Sequence, residues 1–171
     1  MATGSDHIVI RSALVTDAAA VAHYISVLQS ENLGTIRRRP PPTETEAGTF
    51  IAKASGSDRA LMLVALDGIE VVGMLDIAAG NNPHDRHAAS FGVSIAKAWR
   101  GYGLARRLIE TAIGEAKSWP GLCRIEIECV PHHQSAIRLY ESVGFVIEGR
   151  KRKSMNLGNG PEDMLVMAMV W

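Results

Sequence analysis

Apolar and polar residues alternate in "HIVIRSAL", from His7 to Leu14, and predict a first strand. Thr16 and Asp17 are residue types that cap a helix, and Val21, Ile25 and Leu28 then recur at helical spacing. "IRRRPPP", from Ile36 to Pro42, breaks that period. "TETE" next gives Thr43 and Glu46 the spacing of a capping box, opening a shorter helix toward Ala54. "ALMLVAL" and "IEVVGMLDIAA" flank Asp67-Gly68, a strong hairpin signal. The polar "NNPHDRH" leads to a strand from Ala88 to Ile95, then to a helix ending near Ser118. "LCRIEIECV" predicts another strand and "QSAIRLYESV" a helix stopped at Gly144. "FVIEGRKRKSMNL" and "EDMLVMAMVW" predict two last strands around Gly158-Asn159-Gly160-Pro161. The order predicts one α/β (α+β) domain over residues 1–171, a mixed sheet with helices on both faces.

Composition narrows the setting more than the chemistry. Apolar residues make up 47% and charged residues 21%, which excludes a disordered chain. Lys+Arg and Asp+Glu balance at 18 each, so nothing global draws the chain to nucleic acid or an anionic membrane. Cys123 and Cys129 fall in one predicted strand, separated by roughly 20 Å, too far to bridge. Two unpaired cysteines fit a reducing compartment. No apolar run approaches a membrane span, and Met1 to Asp6 lacks the charge and apolar core of a signal peptide. A cytoplasmic protein is expected, without membrane or nucleic-acid partners.

The strand-to-helix corner at Arg100, Gly101 and Gly103 carries the first chemical signal. A helix beginning at Gly103 leaves its first N–H groups unsatisfied and its positive dipole end exposed. Residues without side chains let an anion reach those donors, and phosphate or pyrophosphate is the natural guest. Arg100, Arg106 and Arg107 add charge, while Leu104, Leu108 and Ala112, with Ala105, Ile109 and Ala116, face the sheet. By glycine count alone, a plain turn with solvated arginines fits as well. "GYGLAR" lacks the third glycine of a dinucleotide fingerprint, and no Lys-Ser/Thr pair follows as a P-loop needs.

With its flanks, this corner becomes specific. "VSIAKAWRGYGLARRLI" resembles the acetyl-CoA pyrophosphate loop of the GNAT N-acetyltransferase superfamily, Arg/Gln-x-x-Gly-x-Gly/Ala, filled here by Arg100, Gly103 and Ala105. "HQSAIRLYESVGF" resembles the superfamily's second motif, and the two together cover Ala88 to Phe145. The resemblance implies a mostly antiparallel, twisted sheet of about seven strands, splayed into a V at the acetyl-CoA site. It implies acetyl-CoA as co-substrate and no metal. Val93, Ser94 and Ile95 would present backbone groups to the pantetheine arm, and Arg100, Gly101, Tyr102, Gly103, Leu104 and Ala105 would cradle the pyrophosphate. "RHAASFGVSI" and the tail from Glu148 to Trp171 are most similar to the branch acylating amino acids or other small amines. An acetyltransferase of protein N-termini, of the ribosomal-protein type, and an acyl-CoA-binding regulatory domain without turnover are the alternatives. In this fold "IRRRPPP" borders the acceptor cleft.

Acetyl transfer to an amine requires loss of the ammonium proton, donors for the oxyanion and a proton for the departing thiolate. Tyr140 follows Ala136 and precedes Val143 on a helix, so its ring faces inward while its hydroxyl reaches a polar site. The family places a tyrosine here beside the CoA sulfur as proton donor; read alone, it would be a core tyrosine with a satisfied hydroxyl. Glu126 and Glu128 project from one face of "IEIECV", and two like charges on a covered strand raise at least one proton affinity, as a general base needs. Glu128 matches the base of the ribosomal-protein alanine acetyltransferases and Glu126 a glutamate of the amino-acid branch. An acidic stripe touching solvent or Arg124 is the other reading of the pair, and ordered water can replace a strong base. His133 stands where the superfamily has Asn, as a CoA contact, a base or a neutral replacement at a helix start.

The remaining signals are weaker. His84, His87, His132 and His133 lack a matching Cys or carboxylate cluster, so solvated histidines are expected rather than a metal site. "RKRK", from Arg150 to Lys153, reads as a solvated strand alternating between faces. Ser90 and Ser94 lack the His and Asp of a hydrolase. The C-terminal hairpin offers an edge through which a homodimer could form.

Overall fold

The computed structural model describes residues 4–5, 7–31, 40–158 and 160–171. Seven strands form one sheet: β1 (Val9–Ser12), β2 (Ala60–Asp67), β3 (Glu70–Ala79), β4 (Ala88–Ile95), β5 (Arg124–Cys129), β6 (Val146–Asn156) and β7 (Pro161–Val170). Their order in space is β1-β2-β3-β4-β5-β7-β6. Only β4 and β5 pair in parallel; every other pairing is antiparallel. Helices α1 (Ala18–Ser30) and α2 (Glu44–Ser55) cover one face, and α3 (Leu104–Ala116) and α4 (Gln134–Ser142) the other. The mixed, mostly antiparallel sheet expected from the sequence is thus the one found.

Two cores explain why the central strands are apolar throughout. In β2, Leu63 and Ala65 join the core under α3, while Met62, Val64 and Leu66 join the core under α1 and α2. A strand buried on both faces has no polar side to alternate with. Helix α3 buries Leu104, Leu108, Ile109, Ala112, Ile113 and Ala116, the stripe of an amphipathic helix. Ala105, expected on that stripe, is only half-buried and faces the cleft described below. Gly73 lets α3 sit close to the sheet, since a Cβ there would stand 2.8 Å from Ile95 Cδ1 and 3.3 Å from Leu108 Cδ1.

Local departures from the sequence pattern have identifiable causes. The first strand stops at Ser12 rather than Leu14 because the chain turns into a short 3₁₀ segment, Val15–Asp17. Asp17 fixes that turn: its carboxylate accepts from the Leu14 N–H at 2.8 Å and from both Arg11 terminal nitrogens at 2.7 and 2.9 Å. Asp17 precedes α1 as expected, yet its side chain makes no hydrogen bond to that helix. The Thr43–Glu46 capping box forms as read, with Thr43 Oγ1 accepting from the Glu46 N–H at 3.2 Å and Glu46 Oε2 accepting from the Thr43 N–H at 2.8 Å. Gly144 takes φ of 103° at the end of α4, the left-handed stop expected there. "RKRK" is not a regular alternating strand: the β6–β7 register shifts between Lys151 and Met155, where Lys153 takes φ of 48°. Of "IRRRPPP", residues 36–39 lie outside the described residues, as does Asn159 of the last turn.

One break in the sheet matters most. The parallel β4–β5 pairing spans only Ala88↔Arg124, Ala89↔Ile125 and Ser90↔Glu126. Beyond it both strands continue, β4 to Ile95 and β5 to Cys129, without pairing to each other. The sheet is therefore open along its middle, between strands still held on their outer sides by β3 and β7.

Candidate active site

The opening leaves main-chain groups of β4 unpaired. Gly80 N–H donates to the Ala88 carbonyl at 3.0 Å and Ala96 N–H to the Val72 carbonyl at 2.9 Å, so the even-numbered residues of β4 bond to β3. By the alternation of a strand, the main-chain groups of Phe91, Val93 and Ile95 face the gap. Of the three residues expected to meet a pantetheine arm, Val93 and Ile95 have the right backbone direction. Ser94 instead brings its side chain to the cleft wall, where its Oγ accepts the Tyr24 hydroxyl at 2.9 Å.

Past Ile95 the chain enters the glycine corner. Gly101 and Gly103 have φ of 86° and 79°, the left-handed region where a side chain is disfavoured. A Cβ at either would meet no protein atom within 4 Å, so open space lies against both. Gly103 is the N-cap of α3 with no side-chain cap, and the first turn of amides, at Leu104, Ala105 and Arg106, has no acceptor within the helix. All of these residues line one cleft of about 700 Å³ that also takes in the β4–β5 gap.

The side chains around the corner are partly committed elsewhere. Arg100 donates through Nε to the Ile95 carbonyl at 3.0 Å, and its terminal nitrogen pairs with Glu31 at the end of α1. Its charge is thus shared with a carboxylate rather than held free for an anion. Tyr102, flanked by the two left-handed glycines, turns its ring away from the cleft onto Trp99, with centroids 6.2 Å apart. Only its main chain stays at the corner. Arg106 lines the cleft and reaches Ser142 at 2.5 Å and Glu110 at 3.2 Å. Arg107 faces the other way and clamps the Ser5 and Ile8 carbonyls at 3.1 and 3.0 Å, so it adds no charge to the corner.

Tyr140 and His133 both project from the α4 side into the same cleft. Two rings set Tyr140 in place: its centroid lies 6.0 Å from Phe91 and 6.1 Å from Phe145, and those two are 5.8 Å apart, all edge to face. Burial, with Cys129 nearby, pushes the Tyr140 hydroxyl up to about 12, and no hydrogen-bond partner for it appears among the described residues. A protonated, unpaired hydroxyl aimed into a cleft differs from the satisfied core tyrosine that the sequence also allowed. His133 opens α4 without capping it, as expected of a residue in place of Asn. Burial, and then the charges of His132 and Arg100, lower its proton affinity below the ordinary imidazole value. Tyr24 was not singled out in the sequence. It is 4% exposed, and burial likewise pushes its hydroxyl up to about 12. Its only sequence signal is a place among the apolar positions of α1.

A second cavity of about 310 Å³ is lined by Ser90 and Glu126, where β4 and β5 last pair, and by Met155, Leu157 and Met164. The two cavities share Phe91, Ile127 and Glu128. Glu126 and Glu128 both point this way, as the strand alternation predicted. Each faces a cation instead of only its like-charged neighbour: Arg124 bonds Glu126 at 2.9 Å and also Glu148, and Lys151 bonds Glu128. The crowding of two unpaired carboxylates expected from sequence is therefore relieved. Among the described residues no group of three His, Cys, Asp or Glu is placed to hold a metal, and His84 and His87 are exposed. No described helix is long and apolar enough to cross a membrane.

The site thus combines a splayed β4–β5 pair, a glycine corner feeding a helix N-terminus and a tyrosine across the gap, and comparison assigns the family. The chain belongs to the acetyltransferase (GNAT) family, whose model matches residues 25–145. An L-amino acid N-acetyltransferase, AaaT, from Escherichia coli (strain K12) is 33% identical over 92 residues; the match spans 54% of this chain and 56% of that relative. A GNAT-family acetyltransferase from Streptococcus pneumoniae superposes with a TM-score of 0.90 at 26% identity, covering 95% of this chain and 98% of that one. The fold also matches a phosphinothricin acetyltransferase from Sinorhizobium meliloti in complex with acetyl-CoA: TM-score 0.81, 20% identity, 96% of this chain and 88% of that one.

Proposed function

We propose that this chain is an acetyl-CoA-dependent N-acetyltransferase acting on a small primary amine, an amino acid or related compound, by direct attack of the amine on the thioester. One observation carries the reading: the two cavities share Phe91, Ile127 and Glu128, residues of the two strands that part there, so a donor in one and an acceptor in the other would meet beside them. Acetyl-CoA fits the larger one. The amides at Gly103, Leu104 and Ala105 would receive its diphosphate, helped by the open space at both glycines. Val93, and the N–H of Ile95, whose carbonyl Arg100 already holds, would pair with its pantetheine arm. A smaller cavity of about 310 Å³ suits an amino acid better than a polypeptide. The relative's printed name, an L-amino acid N-acetyltransferase, supports the same acceptor class.

The chain's own groups cover the proton movements. Glu128, at the junction, takes the ammonium group and accepts its first proton, which passes to solvent and frees the nitrogen lone pair. The neutral amine then attacks the thioester carbonyl, and the second proton leaves nitrogen for solvent as the tetrahedral intermediate collapses. When the C–S bond breaks, Tyr140 gives its proton to the departing sulfur and recovers one from solvent. Its raised pKa keeps that proton available at neutral pH. His133 replaces the usual Asn as a contact on the cofactor side, and neither Cys123 nor Cys129 is needed because no acyl-enzyme forms. The protein works in the cytoplasm, where Cys123, which is exposed, stays reduced. Its edge strand β6, with Val146 and Ile147 exposed, is where a second copy would pair.

Release of free CoA thiol, measured across a panel of amino acids, polyamines and peptides, tests the reading. Turnover on amino acids supports it. Turnover only on peptides would mean an acetyltransferase of protein N-termini, and acetyl-CoA binding with no turnover on any amine would mean a regulatory domain.

A further inference from the structure

Glu128 and its partner Lys151 hold a position no stability argument explains. Their side chains remain 29% and 51% exposed, and an ion pair so open to water adds little to a fold. Yet the strand that delivers Lys151 is held in an unfavourable shape. The register of β6 on β7 breaks just after Lys151, and Lys153 sits in the left-handed region, where a side chain is strained. Asp163 pins the break, accepting from the Lys153 N–H at 2.8 Å and from Arg150 Nε at 2.7 Å. The neighbouring acid is treated differently: the Arg124 fork is filled by both Glu126 and Glu148, whereas Lys151 bonds Glu128 and meets Glu126 only through space. The acceptor cavity beside this pair joins a polar part, Ser90, Glu126 and Glu128, to an apolar wall of Phe91, Met155, Leu157 and Met164.

We propose that Lys151 is the carboxylate anchor of the acceptor site, and that the acceptor is an apolar α-amino acid bound as its zwitterion. The substrate ammonium takes Glu128, the substrate carboxylate takes Lys151, and the internal ion pair is exchanged for two pairs with the ligand. Charge is conserved in that exchange. A monoamine lacking the carboxylate would strip Lys151 of its partner and give nothing back, and a polyamine would bring it a second positive charge. The acceptor's side chain rests on the methionine and leucine wall. This assignment rests on the reading of the chain as a small-amine acetyltransferase.

The test pairs leucine, methionine and phenylalanine with 3-methylbutylamine, 3-(methylthio)propylamine and 2-phenylethylamine, the same molecules without the carboxylate. Steady-state acetylation of each is measured with the unaltered chain, Lys151→Met and Lys151→Arg. The unaltered chain is expected to favour each acid in kcat/KM. Lys151→Met should shrink that preference about tenfold or more, through KM for the acid, and Lys151→Arg should keep most of it. An equal loss on acid and amine in Lys151→Met would mean that Lys151 merely holds Glu128, and overturns the anchor. So would an unaltered chain that accepts acids and amines alike. If calorimetry shows acetyl-CoA binding but neither set is acetylated, the transferase reading itself fails and the anchor falls with it.

Discussion

In the proposed mechanism, Tyr140 is where a single atom decides the chemistry. Replacing it with Phe keeps the ring contacts with Phe91 and Phe145 and removes only the hydroxyl proton. Turnover should fall by about 10²-fold or more while the KM for acetyl-CoA changes little, as steady-state kinetics would reveal. Because burial holds that hydroxyl up to about 12, the unaltered chain should keep the proposed donor's proton through pH 10; an alkaline loss of kcat centred near 10 would argue against that role. Gly103→Ala makes a different cut. Its φ of 79° would cost about 1–2 kcal/mol with any side chain, and the new methyl group would project into open space that no protein atom claims. A modest drop in melting temperature with a tenfold or greater rise in the acetyl-CoA dissociation constant is expected, read by scanning and titration calorimetry. Both residues were legible in the sequence, because left-handed glycines and an Ala-Ile-x-x-Tyr helix are local patterns. Lys151 was not, since its partner Glu128 lies on another strand and only the order of the strands in space brings the two together. Nor was the outward turn of Tyr102, which follows from two dihedral angles rather than from residue type.

At the scale of elements, periodicity located every strand and helix, while their ends obeyed side chains the pattern did not contain. Asp17 shows why. A carboxylate just before a helix reads as a cap, but Arg11 on the preceding strand and the Leu14 N–H compete for it and win. That arrangement couples β1 to the entry of α1, and it is pH-dependent. The Arg11 hydrogen bond, aided by the Leu14 N–H, holds the Asp17 carboxyl below its ordinary value. The stabilisation is therefore fully present above the unfolded value of about 4 and is lost as pH falls through the lower folded value. Asp17→Asn should lower stability by about 1–2 kcal/mol at pH 7, a few degrees in melting temperature, with the gap closing near pH 2. A gap that persisted in acid would assign the effect to shape rather than charge. The same principle separates Arg107 from Arg106: adjacent arginines on α3 point to the Ser5 and Ile8 carbonyls and to the cleft respectively, a division set by helix rotation against its neighbours.

For the whole molecule, the sequence conveyed the number of strands and the alternation with helices, but not which strands would lie side by side. The order β1-β2-β3-β4-β5-β7-β6 places the last strand in the chain between two earlier ones. β5 meets β4 over three residues and β7 over its full length. Among the described residues, β6 joins the sheet through β7 alone, and β7 lies between the strands that carry Glu128 and Lys151. Loosening β7 would therefore part that ion pair while β1 to β4 kept their pairings to one another.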